Sequence, residues 1–366
     1  MEKVGFATTT GTENYKKRFP ETTQNHFRNA QNLWLSSIGI GTYMGNWDEQ
    51  TDKSYTEAIV KFVESGGNVI DTAANYRFQR SERNIGEALQ NLTEKGFSRE
   101  EIFVCTKGGY LPFDNEPPGN VRSYFEENFV KTGIAEFEDL VGGSHCMSPK
   151  YLQSQIDQSL RNMNLETLDL FYIHNPESQL SEVDKYTFEA RLAKAFEMLE
   201  ENRKNGKIQF YGVATWNGFR VPPDNPSYHS LERIVNIARQ VGGENHGFRF
   251  IQLPYNLALP EAFLFQNQAV GGKVYSTIEA ANELGVSVVC SASIMQGKLS
   301  ANLPQNIREI FAGVGTDAQT SVQFVRSTPG VTTALVGMSK ARHVEENLEL
   351  AKIEPVPAET FKKLFS

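Results

Sequence analysis

Cysteine is scarce in this chain: Cys105, Cys146 and Cys290 are the three present, odd in number and far apart. That leaves no basis for a disulfide framework or a cysteine metal site. Cys105 and Cys290 lie inside apolar runs and are expected to be reduced, buried thiols. No stretch approaches the roughly 20 apolar residues that span a bilayer, and Met1 to Pro20 is polar, without the apolar core of a signal peptide. A cytoplasmic protein with no membrane partner is expected. Positive charge is also not in excess: 36 Lys+Arg stand against 44 Asp+Glu, a net charge of -8, with no long basic run. Nucleic acid is therefore an unsuitable partner, and a small molecule is the expected one. A monomer is expected, with oligomers left open.

What the sequence does have is a repeating alternation. Short runs of β-branched and aromatic residues are each followed by a stretch with helical periodicity, which implies a parallel sheet covered by helices. Eight strands are predicted: Ser37–Gly41, Asn68–Thr72, Ile102–Lys107, Leu168–His174, Phe210–Thr215, Phe250–Leu253, Val286–Ser291 and Thr333–Gly337. Most are continuously apolar, as strands buried on both faces should be. Between them, Tyr55, Ala58, Ile59, Phe62 and Val63 form a helical stripe that stops at Gly66-Gly67. Ser148-Pro149 reads as an N-cap and first-turn proline, with Leu152, Ile156, Leu160 and Met163 on one face. Further helices are predicted at about 186–205, 228–241, 275–284, 318–327 and 341–351. With no linker between halves, the whole chain is expected to form one α/β domain, a (β/α)8 TIM barrel.

Three segments exceed the minimal pattern: the N-terminal extension 1–35, the insertion Tyr110–Met147 after the third strand, and Leu257–Lys273 after the sixth. Segments that follow strands form the active-site face of such a barrel, so the last two are candidate lids or substrate walls. Tyr110, Phe113, Tyr124, Phe125 and Phe129, with Trp216 and Phe219, fit equally well a wall for a bulky or aromatic carbonyl and a plain hydrophobic anchor for the loop.

Asp71, Lys107 and His174 end three successive predicted strands, and Tyr76 follows Asp71 by five residues, so all four belong on one rim. Their acid–base logic is coherent. A tyrosine with a pKa near 10 donates a proton poorly unless a cation stabilises its phenolate. Lys107 can supply that cation, Asp71 can hold the lysine charged, and His174 can align a carbonyl oxygen beside Tyr76. Hydride must come from a cofactor, since no side chain delivers one. A competing motif is the run Gly39-Ile40-Gly41-Thr42-Tyr43-Met44-Gly45, superficially a dinucleotide fingerprint with Asp71 on the next strand. Its spacing, G-x-G-x-x-x-G, and the loop before the next helix argue against a Rossmann unit.

The chain resembles the aldo-keto reductase family from about Phe27 to Leu348. The resemblance rests on Asp71-Thr72-Ala73-Ala74-Asn75-Tyr76, on Ser81-Glu82-Arg83-Asn84-Ile85-Gly86-Glu87-Ala88-Leu89, on Thr106-Lys107, and on Leu168-Asp169-Leu170-Phe171-Tyr172-Ile173-His174. It implies a catalytic tetrad of Asp71, Tyr76, Lys107 and His174, with tyrosine as the acid in reducing aldehydes or ketones. It also implies an extended NADPH (NADP+), with NADH a further option. Gly41, Thr42 and Tyr43 match the first-strand contact, with Asp71 beside them. Gln252 matches the carboxamide-binding glutamine, and Thr215, Trp216 and Asn217 the neighbourhood of the fifth-strand loop. The run Ser291-Ala292-Ser293-Ile294-Met295-Gln296-Gly297-Lys298-Leu299 resembles the pyrophosphate loop, implying contacts from Ser291, Ala292, Ile294, Gly297 and Leu299. Gly337, Met338, Ser339 and Lys340, with His343, Glu346 and Asn347, resemble the adenosine end; Lys340 offers charge for a 2′-phosphate. Departures are Ser291 in place of a common aromatic, Ser293 in place of a proline, and His343 in place of a common arginine or glutamine. No metal is implied. An alternative is a cofactor-sensing subunit, since potassium-channel β subunits resemble the family too.

Overall fold

The computed structural model describes residues 5–311 and 313–365. Twelve strands are present: β1 (Phe27–Ala30), β2 (Leu33–Ser36), β3 (Ile38–Gly41), β4 (Val69–Asp71), β5 (Phe103–Gly108), β6 (Leu168–His174), β7 (Ile208–Ala214), β8 (Phe248–Pro254), β9 (Gln266–Val270), β10 (Lys273–Ser276), β11 (Ser287–Ser291) and β12 (Val331–Gly337). Eight of them, β3 to β8, β11 and β12, close a barrel in chain order, with every pairing parallel. Each is a predicted strand. The Rossmann reading thus fails, for strands that close a barrel in chain order have no point where strand order reverses and a dinucleotide crevice opens.

The ends differ where the ladder outruns the apolar run. Strands β7 and β8 begin two residues before the predicted positions, at Ile208 and Phe248. Gln209 and Arg249 interrupt the hydrophobicity there, yet their backbones lie within paired segments, since Leu168 aligns with Ile208 and Tyr211 with Phe248. The helix 341–351 instead ends at Leu348 and continues as a 3-10 turn over Glu349–Lys352. The helix Pro149–Met163 starts as expected, but Ser148 makes no side-chain cap; its hydroxyl lies 3.4 Å from the Cys146 Sγ instead.

The N-terminal extension has a structural task. Strands β1 and β2 form a hairpin whose two-residue turn, Gln31 and Asn32, has φ of 51° and 66°, the left-handed pair that hairpin twist favours. Ala30, Leu33 and Leu35 pack onto interior side chains of the barrel, including Val69, Phe103, Leu170, Phe250 and Leu335, and so cap its N-terminal end. Residues 1–4 of the predicted extension lie outside the described residues.

The insertion is anchored by its own aromatics. Phe125 and Phe129 are buried and pack on Tyr151 of the helix Pro149–Met163, Phe113 packs on Tyr124, and Phe219 is fully buried. Of the two roles open to these aromatics, Tyr110 and Trp216 remain at the barrel mouth, and the others serve as the loop anchor. The segment after β8 folds into a short helix, Glu261–Leu264, and the β9–β10 hairpin. Asn267 of this hairpin donates to the Phe219 and Val221 carbonyls, buttressing the loop after β7.

Candidate active site

Because all eight barrel strands run the same way, their C-terminal ends meet at one mouth, and the register decides which side chains face it. Asp71 ends β4, Lys107 is the penultimate residue of β5, and His174 ends β6. The Lys107 Nζ donates to Asp71 Oδ2 at 2.6 Å and to the Thr72 carbonyl at 2.7 Å. Gln252 Nε2 donates to the other carboxylate oxygen, Asp71 Oδ1, at 2.7 Å. Both charges are almost fully buried, 4% exposed for Asp71 and 1% for Lys107. Burial works against the ammonium, but Asp71 and Tyr76 outweigh it, so Lys107 is held charged above its ordinary range.

Tyr76 lies beside this pair. The Lys107 Nζ is 5.0 Å from its ring centroid, and the ring meets Tyr43 edge-on at 4.9 Å and His174 at 5.9 Å. Burial raises the Tyr76 pKa, and the Lys107 charge pulls only part of it back. The phenol therefore remains protonated through the neutral range. The same burial, with Lys107 and His145 adding to it, drives His174 well below its usual range, so its imidazole is neutral. Its Nδ1 is buried without a hydrogen-bond partner.

Apart from Tyr110, already a candidate wall residue, several contributors carry no sequence signal. His145, at the end of the insertion, sets its Nε2 2.7 Å from the His174 carbonyl oxygen, while Gln179 Nε2 lies 2.9 Å from its Nδ1. An amide nitrogen only donates, so Nδ1 accepts and Nε2 carries the proton that it gives to His174. Tyr110 stands edge-on between the His145 and His174 rings, at 5.2 and 5.1 Å. The buried Glu177 accepts from the Trp216 and Asn217 amides at 2.7 and 2.9 Å, which sets the loop after β7. None of these belongs to a local motif; a chain distance of 29 residues separates His145 from His174.

The residues implied for a cofactor lie on the strand ends around the other part of the mouth. Gly41, Ser291 and Gly337 end β3, β11 and β12, Thr215 follows the end of β7, and Gln252 lies two residues before the end of β8. Thr42 is fully buried and uses its hydroxyl on Thr72 Oγ1 at 2.8 Å, and Met338 is likewise fully buried in the core, so the backbone is what these two present. Tyr43 and Trp216 are exposed, 54% and 45%. Residues Ala292, Ile294, Gly297 and Leu299 form a tight turn, in which the Gly297 and Leu299 amides both bond to the Ile294 carbonyl. Lys340 is exposed and is the N-cap residue of the helix Ala341–Leu348. On that helix Glu346 accepts from Thr316 at 2.7 Å. Burial and Arg342 lower the His343 pKa, so it adds no positive charge at neutral pH. Three buried polar atoms near this region lack partners: Thr215 Oγ1, Ser293 Oγ and Asn347 Oδ1.

The model of the aldo/keto reductase family matches residues 37–366. The chain belongs to the aldo/keto reductase family. Relatives are distant. An uncharacterised oxidoreductase of Bacillus subtilis, YqkF, is 23% identical over 344 residues, 92% of this chain and 94% of the relative. A Schizosaccharomyces pombe protein provisionally named a voltage-gated potassium channel subunit beta is 21% identical over 361 residues, 94% of this chain and 93% of the relative. Among solved structures, an aldo/keto reductase from Klebsiella pneumoniae in complex with NADP and acetate superposes with a TM-score of 0.61 at 17% identity, covering 94% of this chain and 96% of that one. This aldo-keto reductase chain shares that family's oxidoreductase fold. Among the described residues, no helix is long and apolar enough to cross a membrane, and no group of three or more His, Cys, Asp or Glu could hold a metal ion.

Proposed function

We propose that this chain is an NADPH-dependent reductase of aldehydes or ketones, acting by reversible hydride transfer on a small-molecule carbonyl in the cytoplasm, with Tyr76 as general acid. The observation that carries the reading is the buried Lys107–Asp71 pair at 2.6 Å beside the Tyr76 ring, with the neutral His174 ring edge-on to it at 5.9 Å.

A bound nicotinamide supplies the hydride. The chain's own groups handle the proton on the carbonyl oxygen. Tyr76 enters protonated and gives its proton as negative charge develops there; Lys107 stabilises the phenolate left behind, and Asp71 holds Lys107 charged. His174 orients the oxygen. In the alcohol-to-carbonyl direction the same phenolate takes the proton back. Gly41, Thr215, Gln252, Ser291 and Gly337 would line the cofactor, and the unpartnered Thr215 and Asn347 oxygens suit its polar edges. Lys340 with Arg342 at a helix start favours a 2′-phosphate and hence NADPH. NADH is the competing choice, because an NADH-specific methylglyoxal reductase of Escherichia coli is 26% identical over 187 residues, 50% of this chain and 49% of the relative.

Turnover of purified protein with NADPH or NADH and 4-nitrobenzaldehyde, followed at the nicotinamide absorbance, tests this. Tyr76→Phe should abolish turnover and leave cofactor binding intact. The similarity to the channel subunit supports a second reading, a cofactor-sensing protein; tight NADPH binding without turnover across aldehydes, ketones and sugars would favour it.

A further inference from the structure

Arg77, Phe78 and Gln79 have φ of 48°, 56° and 68°. Three successive side-chain-bearing residues in the left-handed region are costly, and such backbone persists only where its surroundings over-determine it. The strained turn starts at the residue after Tyr76. Each side chain is tied to a different segment of the chain. Phe78 packs edge-on against Trp47, ring centroids 5.1 Å apart, and Gln79 bridges the Pro112 carbonyl at 2.9 Å and Asn162 Nδ2 at 3.0 Å.

Arg77 makes the densest set. Its guanidinium, with 2% of the side chain exposed, donates to the Asn46 carbonyl at 2.8 Å, Asn84 Oδ1 at 2.8 Å and Asp52 Oδ1 at 2.5 Å, and lies over the Tyr55 ring at 4.9 Å. These acceptors come from the loop after β3, the helix Arg80–Glu94 and the helix Glu49–Glu64. The loop after β3 also carries Tyr43, against which the Tyr76 ring packs. One buried cation thus joins the backbone that presents Tyr76 to the loop that flanks it.

We propose that Arg77 is a positioning residue for the proton-transfer step: its guanidinium locks the left-handed turn and the loop after β3 together, and so holds the Tyr76 hydroxyl in reacting position. This deepens the reading of Tyr76 as the acid and rests on it. Arg77 touches neither substrate nor cofactor in this scheme. Its loss should therefore appear chiefly in kcat and in the pH dependence of kcat, and much less in cofactor affinity, to which the loop after β3 contributes through Tyr43.

The test measures kcat, KM and the pH profile of kcat for reduction of 4-nitrobenzaldehyde, NADPH binding by fluorescence, and thermal melting, on the full chain. Arg77→Ala should lower kcat about 10- to 100-fold, the scale of an ångström-sized misplacement, and shift the alkaline limb of the profile. The dissociation constant for NADPH should change several-fold less than kcat. Arg77→Lys, which keeps a cation beside Asp52 but cannot reach all three oxygens, should fall between, and guards against a variant that does not fold. Arg80→Ala removes the other guanidinium from Asp52 Oδ2 and should change kcat less than about twofold. Wild-type turnover that depends on Tyr76, together with unchanged kcat and pH profile in folded Arg77 variants, overturns the proposal alone. Equal losses in kcat and in NADPH affinity also overturn it. A wild-type protein with no Tyr76-dependent turnover overturns this proposal together with the function reading.

Discussion

Replacing Asp71 with asparagine should destabilise the fold far more than the small change in shape suggests. Asp71 and Lys107 lie in a water-excluded interior, joined at 2.6 Å. In Asp71→Asn the amide can still accept from Gln252 Nε2, but the lysine keeps only the Thr72 carbonyl among its present acceptors. An uncompensated buried charge costs about 3–5 kcal/mol, whereas an apolar replacement of both partners is often nearly neutral. Asp71→Asn should therefore lower the unfolding free energy at pH 7 by about 3–5 kcal/mol. The double variant Asp71→Asn/Lys107→Met should recover much of that loss although it carries one more substitution. Urea denaturation of wild type, both single variants and the double variant closes the cycle. Additive losses, or an Asp71→Asn loss below about 1 kcal/mol, would refute the claim that the pair is a buried, mutually dependent ion pair. Because activity should be lost in all three variants, stability and not turnover is the informative measurement.

Two further outcomes follow from the same geometry. Gly109 has φ 139°, and an added Cβ would lie 2.8 Å from His145 Nε2 and 3.1 Å from the His174 carbonyl oxygen; Gly109→Ala should cost more than about 1 kcal/mol and lower kcat, and an unchanged melting temperature and kcat would count against the His145–His174 link. His229, stacked on Phe188 and held by burial at about 3, stays neutral while its unfolded counterpart protonates below about 6.5. Its contribution to stability is full above that pH and is lost as pH falls towards the folded value, at about 1 kcal/mol per pH unit. His229→Phe should flatten the stability slope between pH 6 and 5 by that amount, as read from urea midpoints, and identical slopes would contradict it.

The barrel strands were legible because burial on both faces leaves a continuous apolar run, and Asp71, Lys107 and His174 could be placed because each ends such a run. What the pattern left open came from the same source. The Gln209 and Arg249 backbones pair although their side chains break the apolar pattern, and Phe125, Phe129 and Phe219 are apolar for anchoring and not for substrate. An aromatic in a long loop reads identically in both roles, since what differs is the partner across the fold. Arg77, His145 and Glu177 were silent for a related reason: each acts on a group brought near by the barrel's closure.

By itself, then, the order of apolar runs and helical stripes in this chain determined the eight barrel strands, their common direction and the rim on which Asp71, Tyr76, Lys107 and His174 stand. Those features depend on periodicity and chain order, which are local. Tertiary structure alone decided that Lys107 is held charged while burial keeps Tyr76 protonated and His174 neutral. It also decided that the N-terminal hairpin caps the barrel, and that a left-handed turn is held by one arginine. Electrostatic shifts and strain depend on distances across the fold and on the exclusion of water, neither of which is written in neighbouring residues.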